Sequence, residues 1–313
     1  TNVDARFTYL TGEALGKDLS ALIWHQEEPF ISTRSYAQWE LYKLVKQHGI
    51  RVALDGQGGD ELLAGYNRYY PALIAYLARS FQWKKLARES YFHCRLQGSS
   101  KACRDLITTG YHLSPRSLKR WIRRATRVDG RPCLRNEFTD GLIEYPFRNG
   151  DVGFAGNNFF NRYLYEVFTS SHLPRLLRHQ DKNSMAHSVE SRLPFLDHRL
   201  VEFAFALPWD QKIRLGTRKY ILRNAMRGLI PESVRNRQDK IGFNTPEDIW
   251  IKKYYKDEFF DIINSPSFQQ RPYFDTREMK QEINNYLRGR RNIESTIWVW
   301  IVLELWLRMF IDQ

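Results

Sequence analysis

The densest chemical signal in the sequence is DGQGGDELLAGY, Asp55 to Tyr66. Glycines at 56, 58 and 59 let the backbone approach a ligand closely and take positive φ angles. A helix following the turn would aim its positive end back at the loop, which suits a phosphate. Asp55, Asp60 and Glu61 would repel a bare phosphate. The conflict is resolved if Mg²⁺ lies between them, because this ion is held by one or two carboxylates plus phosphate oxygens. The competing reading is a tight turn in which Asp60 merely caps the helix. The pattern is not a Walker A loop, which ends in GK[ST], nor the dinucleotide GxGxxG.

A turn of this kind needs elements to hold it. Ile50 to Leu54 reads as a short buried strand leading into it. Upstream, Arg6 to Leu10 reads as a strand and Ala14 to His25 as a helix with Leu15, Leu19, Leu22 and Ile23 on one face. Ser35 is placed to cap a helix over Tyr36 to His48, which Gly49 ends. Strand, glycine-rich turn and helix in succession predict an α/β fold, predominantly helical, with a parallel sheet. Ligands in such sheets bind beyond the carboxyl ends of the strands. Downstream, Leu176 to Arg192 reads as a helix, and Pro194 and Pro208 bracket another starting near Asp197. Thr217 is placed to cap a helix through Arg227, and Pro231 to start a short one. Trp298, Trp300 and Trp306 are expected in the core of a helical tail.

Composition narrows the class. With 313 residues, 42% of them hydrophobic, the chain can bury a sizeable core. Cys94, Cys103 and Cys133 have neither CxxC spacing nor an even count, which points away from a disulfide framework or zinc site and toward the cytosol. No secretory signal is visible. The apolar stretch Ile297 to Ile311 contains Glu304 and Arg308 and is shorter than the roughly 20 residues a membrane span needs. The net charge of +13 includes a run at Arg116, Lys119, Arg120, Arg123, Arg124, Arg127, Arg131 and Arg135. It is read as a solvated helix face, because no nucleic-acid module accompanies it.

Longer blocks carry a family resemblance. DGQGGDELLAGY, the stretch DKNSMAHSVESRLPFLDHRLVEFAFALP at 181 to 208, and KYILRNAMRGLIPESVRNRQDKIGFNTP at 219 to 246 resemble the synthetase part of glutamine-dependent asparagine synthetases, in the family's order. IWHQEEPF at 23 to 30 and WVWIVLELWLRMF at 298 to 310 are similar too. The resemblance implies a partial parallel sheet of the ATP-pyrophosphatase (adenine nucleotide α-hydrolase-like) type with a helical C-terminal half. It implies one synthetase domain over 1–313, incomplete at its start, with a nucleotide-binding remnant at 1–95 and a helical part at 96–313.

The implied chemistry has two steps. A carboxylate, aspartate in the family, attacks the α-phosphorus of ATP to give an acyl-adenylate and pyrophosphate. Ammonia from a glutaminase domain then displaces AMP. Charge building on phosphoryl oxygens calls for a fixed cation and Mg²⁺. By resemblance Lys240 is that cation, Asp60 binds the magnesium, and Tyr66 lies in the active site. Asp55 and Gly56 contact the nucleotide through a turn completed by Gly58 and Gly59. Arg34 is a candidate for gripping a carboxylate, and Asp181 or Ser184 for facing the substrate. Arg192 and Asp197 are read as structural.

Gln57 departs from the glutamate that many members carry. A neutral amide is no general base. Either Gln57 only positions groups, or Asp55 or Glu61 takes the proton, or the acyl acceptor is not aspartate. The sequence holds neither an SGGxDS loop nor a glutaminase domain led by a cysteine nucleophile, so this polypeptide alone is expected not to make asparagine. The partners expected are small molecules, with no membrane. A basic scaffold binding nucleic acid is the reading from a different class, and it predicts salt-sensitive binding without nucleotide dependence.

Overall fold

The computed structural model describes residues 3–115, 118, 133–135, 158–239 and 242–312. Lys240 and the basic run from Arg116 to Arg131 lie outside the described residues. Within them the architecture is mostly helical with a small parallel sheet, in keeping with the α/β expectation.

Helix α1 (Gly12–Gln26) starts where the Thr11 hydroxyl accepts the Ala14 N–H at 3.2 Å. Its apolar stripe is buried as expected: Leu15, Leu19, Leu22 and Ile23 are at most 5% exposed. Helix α2 (Arg34–Gln47) begins two residues before the expected start, so Ser35 lies inside it and makes no cap. Gly49 follows its end with φ +69°, the left-handed exit that glycine favours.

Strand β1 (Val52–Leu54) leads into the glycine-rich turn. It pairs in parallel with β2 (Glu190–Arg192), in register Val52 to Glu190, Ala53 to Ser191 and Leu54 to Arg192. The Asp55 N–H donates to the Arg192 carbonyl at 2.9 Å, so the ladder runs to the lip of the turn. Two expectations need correcting here. β1 is not a buried strand: with two strands in the sheet among the described residues, Val52 is 40% and Leu54 75% exposed. Residues 190–192 are not the end of a helix either. In a strand, residues two apart share a face, and Arg192 Nε donates to Glu190 Oε1 at 2.7 Å. Arg6 to Leu10 forms no strand.

The helix after the turn, α3 (Gly59–Leu62), is four residues long. Ala64 takes φ +55° and the chain turns away, so the expected helix dipole is that of a single turn. Next come α4 (Tyr69–Arg79), α5 (Trp83–Gln97) and α6 (Ser99–Leu113). Helix α7 (Phe159–Glu166) runs through a π-helical turn, Val167–Ser171, into α8 (His172–Ala186). Helix α9 (His198–Ala206) is capped by Asp197, whose Oδ1 accepts the Arg199 N–H at 3.0 Å, as the Pro194–Pro208 bracket predicted. Pro231 immediately precedes a short helix, Glu232–Arg235. Where a Thr217-capped helix was expected, Thr217–Arg218 forms a strand and the helix starts at Tyr220.

Two cores result. One packs α1, Tyr36 and Trp39 against Trp250, Ile251, Trp298 and Ile301 of the C-terminal helices. The other packs Leu62, Tyr70, Leu73 and Leu77 against Phe160, Leu164, Phe205 and Trp209. Each fully buried aliphatic or aromatic side chain contributes about 1.5–3 kcal/mol. Trp298 and Trp300 are buried and Trp306 packs at the edge of the first core. Helix α8 continues from Val167 and Phe168, which pack in the second core, to Ala186, which packs against the first, and its His172 stands against Tyr66 at the end of the acidic turn.

Candidate active site

A cavity of about 860 Å³ opens at the carboxyl end of β1, the size and place expected of a ligand site in an α/β fold. Asp55, Gly56, Gln57 and Asp60 of the turn line it, with Tyr66 and Arg68 beyond. Arg34, Ser35 and Gln38 of α2 form another side, and His172, Leu176 and His179 of α8 a third. Gly242 and Phe243 close the lining.

The glycines earn their places for different reasons. A Cβ at Gly56 would meet nothing within 4 Å, so the backbone there is open to a ligand. Gly58 takes φ +87°, and a Cβ would stand 2.3 Å from Leu196 Cδ2; this position belongs to the packing. A Cβ at Gly59 would stand 3.3 Å from the Phe195 ring.

Asp55 accepts the Gln57 N–H at 3.2 Å. Burial raises its carboxyl above the usual range, against the pull of the Gln57 and Gly56 amides. Asp60 Oδ1 is 2.7 Å from Lys219 Nζ, in a half-buried ion pair. Gly65 makes that contact possible: a Cβ there would lie 1.9 Å from Asp60 Oδ1 and 2.5 Å from Lys219 Cε. Glu61 is buried, which raises its carboxyl, and accepts the Tyr66 O–H at 3.0 Å. His172 stands edge-on to the Tyr66 ring, 5.5 Å between centroids. Burial lowers both His172 and His179 to about 4, with Arg68 and Arg175 adding to the effect on His172 and Arg175 and Arg178 on His179. Both imidazoles are therefore neutral near pH 7.

Arg218 ties distant segments to this turn. Its Nη1 donates to the Gly65 carbonyl at 2.8 Å and its Nη2 to the Gln238 carbonyl at 2.6 Å. The segment flanking position 240 is thus anchored on one side to the turn, while Gly242 on the other side lines the cavity.

Of the residues singled out in the sequence, Arg34, Asp55, Gly56, Gln57, Asp60 and Tyr66 meet at one cavity. Asp181 and Ser184 do not line it. The face of α8 toward the cavity is 172, 176 and 179, the helical period. Ser184 is buried and donates to the Asp181 carbonyl at 3.0 Å, and Asp181 is on the exposed side. Sequence reasoning missed Arg68, His172, Arg218 and Lys219. Lys219 opens one of the quoted blocks, but nothing in its spacing ties it to Asp60.

Among the described residues no three of His, Cys, Asp and Glu converge as a metal cage. Asp55 and Asp60 beside open backbone at Gly56 supply the one or two hard oxygens that magnesium takes when phosphates complete its shell. The residues present fit a cation that arrives on a polyphosphate.

Comparison with known proteins identifies the family. A family model described as asparagine synthase matches residues 1–308. The chain belongs to the asparagine synthase family. It is 24% identical to a glutamine-hydrolysing asparagine synthetase of Bacillus subtilis, over 97% of this chain and 47% of that protein. It is 25% identical to the amidase chyE of Penicillium rubens, over 79% of this chain and 40% of that protein. The human asparagine synthetase shares 26% identity over 52% of this chain. The chain thus spans about half the length of the curated relatives it matches. Among the described residues no helix is long and apolar enough to cross a membrane.

Proposed function

We propose that this chain is the adenylating part of an ATP-dependent amide ligase, with a fold of the ATP-pyrophosphatase type. The substrate carboxylate attacks the α-phosphorus of ATP, forming the acyl-adenylate and releasing pyrophosphate; ammonia then forms the amide and AMP leaves. The observation that carries the reading is the convergence of Asp55, Gly56, Gln57, Asp60 and Tyr66 on one cavity at the end of β1, in a member of the asparagine synthase family.

Each residue has a task. The open backbone at Gly56 and the turn made by Gly58 and Gly59 hold the nucleotide. Asp60, with Asp55 beside it, would hold Mg²⁺, which when bound would neutralise the phosphate charge. Lys219 holds the Asp60 carboxylate in place and can pass to a phosphate oxygen when the nucleotide enters. Lys240 supplies the mobile cation that follows charge from phosphate to acyl oxygen, a task suited to an ammonium on a long stem. The link from Gly65 through Arg218 to Gln238 supports that assignment. Arg34 grips the acceptor's carboxylate.

Two acceptors fit. Aspartate, giving β-aspartyl-AMP and then asparagine, follows the family name. A different carboxylate is favoured by Gln57, a neutral amide at the cavity wall, and by the similarity to a fungal amidase. The test is calorimetry with non-hydrolysable acyl-sulfamoyl adenosines. The aspartyl compound, or one built on another carboxylate, should bind about tenfold or more tighter than sulfamoyl adenosine itself. Equal binding across the set would refute acyl-adenylate recognition.

A further inference from the structure

We infer that Arg68 is a binding residue for an oxyanion of the reactants, either a phosphate of the nucleotide or a second carboxylate of the acceptor, at the end of the cavity opposite Arg34. The identity of the ligand rests on the proposed function; the site itself rests on geometry.

Helix α8 gives the cavity its length. His172 and His179 are seven residues apart on the lining face, which is about 10 Å along a helix. The His172 end borders Tyr66, at 5.5 Å between rings. The other end borders α2, where Asn183 Nδ2 donates to the Ser35 carbonyl at 3.0 Å and to Gln38 Oε1 at 3.1 Å. Arg68 therefore belongs to one end and Arg34 to the other, with the acidic turn between them.

The guanidinium of Arg68 is held by stacking. Its Cζ lies 4.6 Å from the centre of the Tyr66 ring and 5.5 Å from that of Tyr69. Contact with aromatic faces fixes the plane of a guanidinium and leaves its edge of N–H donors for a planar oxyanion. Among the described residues no carboxylate forms an ion pair with it. The nearest candidates are engaged elsewhere, Asp60 with Lys219 at 2.7 Å and Glu61 with the Tyr66 hydroxyl at 3.0 Å. The neighbouring His172 is neutral near pH 7. Glu61 feels the Arg68 charge through space, yet its carboxylate bonds the Tyr66 hydroxyl, so the guanidinium is left without a direct ion pair.

The experiment is titration calorimetry of the full chain with inorganic pyrophosphate plus Mg²⁺, and separately with L-aspartate and L-glutamate. Arg68→Gln is expected to weaken one class of probe by about tenfold or more. Loss confined to pyrophosphate assigns the phosphate; loss confined to the amino acids assigns the acceptor. Arg68→Lys should recover part of the affinity, since an ammonium keeps the charge but not the planar fork. The inference is overturned if Arg68→Gln binds every probe within about twofold of the parent, or if no probe binds the parent at millimolar concentration. Arg68 is exposed, so the variant should fold. If it does not, Arg68→Lys decides, with a loss of about threefold or more supporting and less overturning. Asp60→Asn separates the two readings. If it abolishes the effect of magnesium while Arg68→Gln changes nothing, this inference fails alone. If Arg68→Gln weakens binding and Asp60→Asn does not, the metal–nucleotide reading fails alone.

Discussion

Placing a methyl group at position 65 probes the contact on which the acidic turn depends. In Gly65→Ala the new Cβ would lie 1.9 Å from Asp60 Oδ1, 2.8 Å from Asp60 Cγ and 2.5 Å from Lys219 Cε. No such contact survives, so something must move. The atoms in the way are the ends of two side chains, and Gly65 has no positive φ, so the ion pair gives way before the backbone does. Overpacking costs about 1–3 kcal/mol. Loss of a partly exposed ion pair costs about 1 kcal/mol or less. The stiffer unfolded chain offsets about 0.4–1 kcal/mol. The net expectation is a stability loss of about 1–2 kcal/mol by urea denaturation, together with a fall of about tenfold or more in Mg–ATP affinity, because the Asp60 carboxylate is displaced. Gly56→Ala is the control: its Cβ meets nothing within 4 Å, so stability should change by about 0.5 kcal/mol or less. If Gly65→Ala matches the parent in both stability and Mg–ATP affinity, the Asp60–Lys219 contact is not what positions the carboxylate.

Lys212 is fully buried, hydrogen-bonded to Asn161 Oδ1 at 3.0 Å, and pushed down to about 7 by desolvation. Between that value and its ordinary one the folded state binds fewer protons than the unfolded state, so stability rises with pH there. Lys212→Met should therefore be most stabilising near pH 6–7, with its advantage shrinking by about 2–3 kcal/mol by pH 9; a pH-independent difference in urea denaturation would contradict this.

What could be read from the sequence was mostly local. The stripe of α1, the glycine after α2 and the start of α9 near Asp197 are set by residues within a turn or two, and all three stand where they were expected. The acidic turn was legible because its glycines and carboxylates are contiguous. Glu190 and Arg192 were misplaced on a helix because the pairing of their strand with β1 joins residues 138 apart in register, from Val52 to Glu190. No local pattern reports such a partner. Asp181 and Ser184 were chosen as polar residues in a long motif, but the helical face that reaches the cavity starts at His172, outside that motif. Lys219, Arg218 and Arg68 gained meaning only from folding, through Asp60, the Gly65 and Gln238 carbonyls and the Tyr66 ring.

The central claim is that Asp60 and Lys240 serve the same metal-bound triphosphate. A double-mutant cycle on Mg–ATP affinity, with Asp60→Asn, Lys240→Gln and the pair, tests it most directly. Each single change should weaken binding by about tenfold or more, and the two should couple by about 0.5–3 kcal/mol. If Lys240→Gln binds Mg–ATP as the parent does, or if the two effects simply add, the lysine and the acidic turn do not share a ligand and the ligase account fails.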